Sequence, residues 1–167
     1  MAGLHDDINA VLTRYFTLWN DWKMDDLRRL WDADEKEPIY VAEERDPLIG
    51  WPALLDYWKV SEPRRSEHFI AFGDLHVREI APGVAHAFYQ LSWNFFVIGN
   101  RMYQKPIGGE VRATTLLRKK PDGWKFFHHI ESPLASLIQL KRAHEQNVDE
   151  RLFTMLEEKG LYSRSKP

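Results

Sequence analysis

Residues 111–133 read VRATTLLRKKPDGWKFFHHIESP. Two runs rich in strand-forming residues, Val111–Lys119 and Trp124–Glu131, flank Pro121-Asp122-Gly123. Proline presets one turn corner, aspartate bonds nearby backbone and glycine tolerates positive φ, so the tripeptide is a hairpin turn signal. Along the second strand, Trp124, Phe126, His128 and Ile130 alternate with Lys125, Phe127, His129 and Glu131. Successive side chains of a strand point to opposite faces. Bulky groups on both faces mark a strand covered on both. Ser132-Pro133 then reads as N-cap and first helical residue. A helix is expected from Pro133 towards Lys159, with Gly160 as its stop.

Working upstream, Gly99-Asn100 opens an irregular connection containing Pro106 and Gly108-Gly109. Before it lies a long strand, Val84–Ile98, then the turn Pro82-Gly83, then a strand over Glu67–Glu79. The N-terminal part is helical instead. Leu4, Ile8, Val11, Leu12, Tyr15, Leu18, Trp19 and Trp22 recur at spacings of three and four, as on one face of an amphipathic helix. A short helix follows over Asp25–Trp31, a short strand over Ile39–Ala42, and a helix over Trp51–Val60 with Pro52 in its first turn and Pro63 ending it. Sequential strands joined by short turns make an antiparallel sheet, and the helices pack on one of its faces. The fold class is α+β. Residues 1–133 form one domain, and residues 134–167 a C-terminal helical extension serving as a lid or an oligomer contact.

Composition narrows the function. The 23 Lys+Arg against 25 Asp+Glu leave a net charge of −2, without the basic excess that phosphate neutralisation on nucleic acid requires. No uninterrupted apolar run approaches the roughly 20 residues of a membrane helix. MAGLHDDINA shows no signal-peptide pattern, and a cytoplasmic location is expected. Cysteine is absent, which removes disulfides and thiolate chemistry. The 22 aromatic residues (Trp 7, Tyr 6, Phe 9) exceed what a small core needs and point to a ring-lined pocket or interface. HExxH, Walker, GxGxxG and GxSxG motifs are missing, so neither a metal site nor a cofactor is expected.

The element order, with EHFIAF, VAHAFYQLSW and the closing hairpin Leu117–Pro133, resembles the NTF2-like (SnoaL-like) superfamily over about residues 4–133. The scytalone dehydratase branch looks nearest, through His68-Phe69-Ile70, Tyr89-Gln90-Leu91 and Asp122-Gly123-Trp124-Lys125-Phe126. The resemblance implies a cone-shaped barrel: a curved antiparallel sheet with the N-terminal helices on its concave face, an apolar pocket, and a homodimer or higher homo-oligomer. It also implies cofactor-free dehydratases, isomerases or cyclases, alongside non-catalytic binding modules. This chain departs from the branch. Where the branch carries a helix-one Asp, Trp19-Asn20-Asp21 stands, and its second catalytic His falls near Phe95.

His68 is the position that carries over as a general base. His129 and Glu131, two apart on one strand, share a face with side chains starting about 6–7 Å apart. A carboxylate beside an imidazole orients it. Tyr40 and Tyr57 match ligand-touching family positions, where a phenol can polarise a substrate oxygen. Tyr89, Leu91, Trp93 and Phe95 share one strand face, and Tyr15 and Trp19 lie one turn apart on the first helix. Each of these reads equally as pocket wall or plain core. Asn20 and Phe127 complete the expected lining, His128 and Asn94 pointing the other way. Arg112 and Thr114 share a strand face; inward, Arg112 would mark an anionic or oxygen-rich substrate, and outward a salt bridge. The expectation is a lyase eliminating water from a hydrophobic aromatic or polycyclic small molecule. An isomerase of the ketosteroid type, or a non-catalytic small-molecule binder, is the alternative.

Overall fold

The computed structural model describes residues 3–43, 45–60, 66–97, 105–133, 144 and 148–163. Two compact units divide the chain, residues 1–134 and 135–167. The first contains α1 (Leu4–Asn20), α2 (Met24–Arg28), β1 (Ile39–Val41), β2 (Leu48–Ile49), α3 (Trp51–Val60), β3 (Ser66–Ala81), β4 (Val84–Val97), β5 (Ile107–Lys120) and β6 (Gly123–Pro133). The strands form one curved, mixed sheet in the order β2-β1-β6-β5-β4-β3. Its four long strands pair antiparallel, as the hairpin signals require. β1 adds to β6 in parallel, with Tyr40 opposite His129, and β2 closes that side. The sheet does not close into a barrel: β2 and β3 are its free edges. This is the NTF2-like, cystatin-like fold.

Alternation sets the inner face. Ala85, Ala87, Tyr89 and Leu91 of β4 and Val111, Ala113, Thr115 and Leu117 of β5 are buried there. The three alanines leave room for the large residues of α1, including Ile8, Leu12, Tyr15 and Phe16, which are also buried. Tyr15 stacks on Phe126 of β6, with ring centroids 4.6 Å apart. Such a pair adds about 0.5–1.5 kcal/mol beyond its buried area. Asn20 locks the end of α1 onto β3: its amide accepts from Ile70 N–H and donates to Ile70 C=O, both at 2.8 Å.

Register shifts in β3 and β6 break strict alternation. In β3 the register shifts between Gly73 and His76, where Asp74 takes a left-handed φ of 50°. In β6 one extra residue is inserted, since Leu116 faces His128 but Leu117 faces Phe126. Phe126 and His129, three apart, therefore both point inward and are fully buried. Period-two counting expects Phe127 to share the His129 face; the bulge removes it from the inner face. There Arg118 lies over its ring at 4.5 Å.

The α1 C-terminus is a Schellman motif. Lys23 N–H bonds Leu18 C=O at 2.8 Å and Trp22 N–H bonds Trp19 C=O at 3.0 Å. Trp22 occupies the left-handed position, φ 57°, where glycine is usual. Among the described residues no helix is long and apolar enough to cross a membrane.

The expected helix start at Pro133 is corrected: Pro133 is the last residue of β6, paired with Val111. A strand partner outweighs the local Ser-Pro signal. In the second unit α4 (Glu150–Glu158) begins at Asp149, whose side chain accepts from Arg151 N–H at 2.8 Å. Gly160 follows it at φ 66°. The helix expected over residues 134–143, the connection at Gly99-Asn100 and the stop at Pro63 lie outside the described residues.

Candidate functional site

A cavity of about 440 Å³ opens between α1, β1, α3 and the inner ends of β3, β4 and β6. Tyr15, Trp19, Tyr40, Tyr57, His68, Leu91, Trp93, Phe95 and Glu131 line it, nine of the expected site residues brought to one place from six elements. Trp22 and Glu43, which were not among the expected site residues, line it as well, and so does Asn94, which corrects the expectation that it points the other way. Trp22 is there because the left-handed end of α1 turns its indole beside Trp19 and His68, 5.6 and 5.3 Å away by ring centroids. Glu43 accepts a short hydrogen bond from the Trp93 indole N–H.

Behind the Glu131 wall runs a buried polar chain. Tyr89 Oη lies 3.0 Å from Thr115 Oγ1, which lies 2.9 Å from His129 Nδ1. His129 Nε2 lies 3.0 Å from Glu131 Oε1, and the Tyr40 hydroxyl donates to that oxygen at 3.3 Å. Tyr89, Thr115 and His129 are fully buried. One hydrogen order satisfies every group with a neutral imidazole: Tyr89 O–H to Thr115, Thr115 O–H to Nδ1, Nε2–H to the carboxylate. Burial pushes the Tyr89 phenol well above its ordinary value, so it stays a donor. Tyr40 stacks on the His129 ring at 5.1 Å, holding it edge-on to Glu131. The geometry exchanges the expected roles. Glu131, its side chain 11% exposed, meets the cavity, and His129 supports it from behind.

His68 stands on the opposite wall, three strand positions from β6, about 14 Å along the sheet. Its Nε2 lies 2.9 Å from the Trp19 carbonyl. A carbonyl only accepts, so Nε2 carries the hydrogen and Nδ1 is the basic nitrogen of the neutral ring. Tyr15 brings a buried hydroxyl with no hydrogen-bond partner of normal geometry among the described residues. Burial raises its pKa, which keeps it protonated.

Other expected lining residues lie elsewhere. Tyr89 sits behind the wall, and Asn20 spends its amide on Ile70. Arg112 and Thr114 take the outer face of β5, because Val111, Ala113, Thr115 and Leu117 take the inner one. Thr115 was legible only with that register in hand. Among the described residues, no group of three His, Cys, Asp or Glu side chains is placed to hold a metal ion.

The SnoaL-like domain model matches residues 8–136, most of the chain. The chain belongs to the SnoaL-like domain family. Solved structures of the same fold include an NTF2-like family protein of Streptomyces avermitilis described as a candidate dehydratase. It is 20% identical at TM-score 0.64, over 78% of this chain and 96% of that one. A Catenulispora acidiphila protein in complex with S-DNPA is 15% identical at TM-score 0.61, over 80% and 95%. The CamKII hub homology domain of Chlamydomonas reinhardtii is 15% identical at TM-score 0.62, over 80% and 100%. At these identities the likeness is one of fold. No curated protein matches the chain.

Proposed function

We propose that this SnoaL-like domain is a cofactor-free acid–base lyase, performing a dehydratase-type elimination on a hydrophobic aromatic small molecule in the cavity. The observation that carries this reading is Glu131, a carboxylate on the wall of an aromatic chamber, oriented by His129 and hydrogen-bonded by Tyr40. In the proposed step the carboxylate takes the proton α to a substrate carbonyl, and the electron pair forms the new C=C bond. The β-hydroxyl leaves as water with the Tyr40 proton. The proton on Glu131 then passes to Tyr40 across their hydrogen bond, so both groups return to their starting states. In this reading Tyr57, whose ring centroid lies 5.5 Å from that of Tyr40, polarises the carbonyl. His68 is the base for chemistry at the other end of the substrate. Kinship with the scytalone dehydratase branch belongs to the same proposal, supported by the three strand motifs.

The likeness to a ligand complex and to a hub domain favours a second reading, a binding module without turnover. The outer sheet face, where Phe69, Phe88 and Phe96 are exposed, is assigned to self-association in either case. The test is enone formation from a panel of aryl β-hydroxyketones, followed by absorbance. Glu131→Gln should lower kcat about 10²- to 10⁴-fold while ligand binding persists. Unchanged rates in Glu131→Gln and His68→Ala would sink the acid–base reading. Tight binding of the panel with no elimination would leave the binding module in its place.

A further inference from the structure

We propose that Trp22 is the residue by which the cavity tells a flat aromatic ring from a saturated one. This deepens the function reading by naming a specificity-determining residue, and rests on it only in placing the ligand in the same cavity.

Backbone geometry carries the inference. Trp22 holds φ 57° just beyond the end of α1. In that left-handed region Cβ crowds the following carbonyl, so glycine, asparagine and aspartate are the usual occupants. The other non-glycine residue with positive φ among those described is Asp74, an ordinary occupant; a bulky indole is not. The turn itself asks for no side chain. Backbone bonds close it, from Trp22 N–H to Trp19 C=O and from Lys23 N–H to Leu18 C=O, and glycine would make them equally well. His68 does not need the indole either, because its Nε2 bonds the Trp19 carbonyl. Nor is deep burial the reason. Trp31, Trp58 and Trp124 are buried in the core, whereas Trp22 is half-buried at its margin.

What the turn secures is the place of the indole on the cavity wall. Trp19 and His68 stand near-perpendicular to it, at 72° and 80°. Among the described residues no ring lies parallel on it. A disfavoured backbone conformation, kept by a side chain that lines a chamber, points to a ligand clamp. A flat ring stacks on an indole over much of its area, whereas a puckered saturated ring touches it through a few hydrogens. The affinity that Trp22 adds therefore depends on the flatness of the ligand.

The experiment is calorimetric titration of the full chain with 2-naphthylmethanol and decahydro-2-naphthylmethanol, which share a skeleton and a hydroxyl and differ in flatness. The naphthyl compound should bind more tightly by about fivefold or more. Trp22→Gly and Trp22→Ala should each lower that ratio by about threefold or more through weaker naphthyl binding, and Trp22→Phe should keep most of it. A merely structural indole would weaken both ligands alike and leave the ratio standing. Thermal unfolding is the second readout: Trp22→Gly, at ease in the turn, should melt a few degrees above Trp22→Ala. The proposal is overturned if Trp22→Gly keeps the wild-type ratio, if the wild type binds the two probes equally or binds neither, or if Trp22→Gly melts below Trp22→Ala. The glycine variant preserves the turn, so poor folding of the alanine variant does not rescue the idea. Turnover is not read here. Loss of the ratio in Trp22→Gly without elimination by the wild type would sink the lyase reading alone, and elimination with the ratio intact in Trp22→Gly would sink this proposal alone.

Discussion

Thr115 shows how much of the site depends on one buried hydroxyl. Its oxygen links Tyr89 to His129 Nδ1, and no water reaches any of the three. Thr115→Val leaves Nδ1 with only the Tyr89 hydroxyl at 3.4 Å, a long contact. An imperfectly satisfied buried group costs about 1–3 kcal/mol. The expected outcome is a loss of that size in denaturant unfolding, restored by Thr115→Ser. Equal stability of the valine and serine variants would refute it. His129 and Glu131 were legible because polar groups alternating amid rings on one strand are conspicuous, and Tyr40 through the family resemblance, whereas Thr115 was not. A threonine in a strand is ordinary, and only pairing register distinguishes it from Thr114, one residue away on the other face.

At the scale of elements, the long strands, their turns and the first helix followed from period and punctuation. What the sequence could not announce was the extra residue in β6. Segment Leu30–Asp32 bonds the backbone of Phe126, while β1 pairs from His128 onward. Two partners on the same side of one strand are accommodated by the bulge between them, and no local signal encodes that. The same holds at Pro133, where a strand partner overrides a helix signal. Gly109 offers a test of how elements shape the cavity. A Cβ there would meet the Trp93 ring at 2.8 Å. Gly109→Ala should therefore push the indole into the cavity and loosen its bond to Glu43. The expectation is weaker binding of the aryl β-hydroxyketones by tenfold or more with modest loss of stability; unchanged binding would contradict it. Gly108 differs, since its Cβ would meet the Trp93 backbone oxygen at 2.9 Å, which cannot move aside.

Among the described residues, the aromatic side chains are shared between the cavity, the core and the outer sheet face, where Phe69, Phe88 and Phe96 are exposed. Trp31, Trp58 and Trp124 are buried away from the site, and the rings that line the cavity account for much of the rest. A separate charged cluster ties the segment after α2 to β5: Asp32, nearly inaccessible, accepts from Arg118 and Lys120. Burial alone would raise its pKa, but hydrogen bonds from Lys120 and Arg118 outweigh this and lower it below 3.8. A carboxyl depressed in the folded state stabilises it above the unfolded value and loses that contribution as pH falls through the folded one. Global stability should thus decline below about pH 4, and Asp32→Asn should flatten that acid limb. Identical pH profiles for the two proteins would remove Asp32 from the account.

The bond between Asn20 and Ile70 has a consequence for solubility. β3 is the outermost long strand, and Ile70 is one point where its unpaired backbone is already occupied from within the molecule. An open strand edge is a template for another chain, and proteins that lack a guard there tend to polymerise. Asn20 thus caps part of the open edge of β3 from within the molecule.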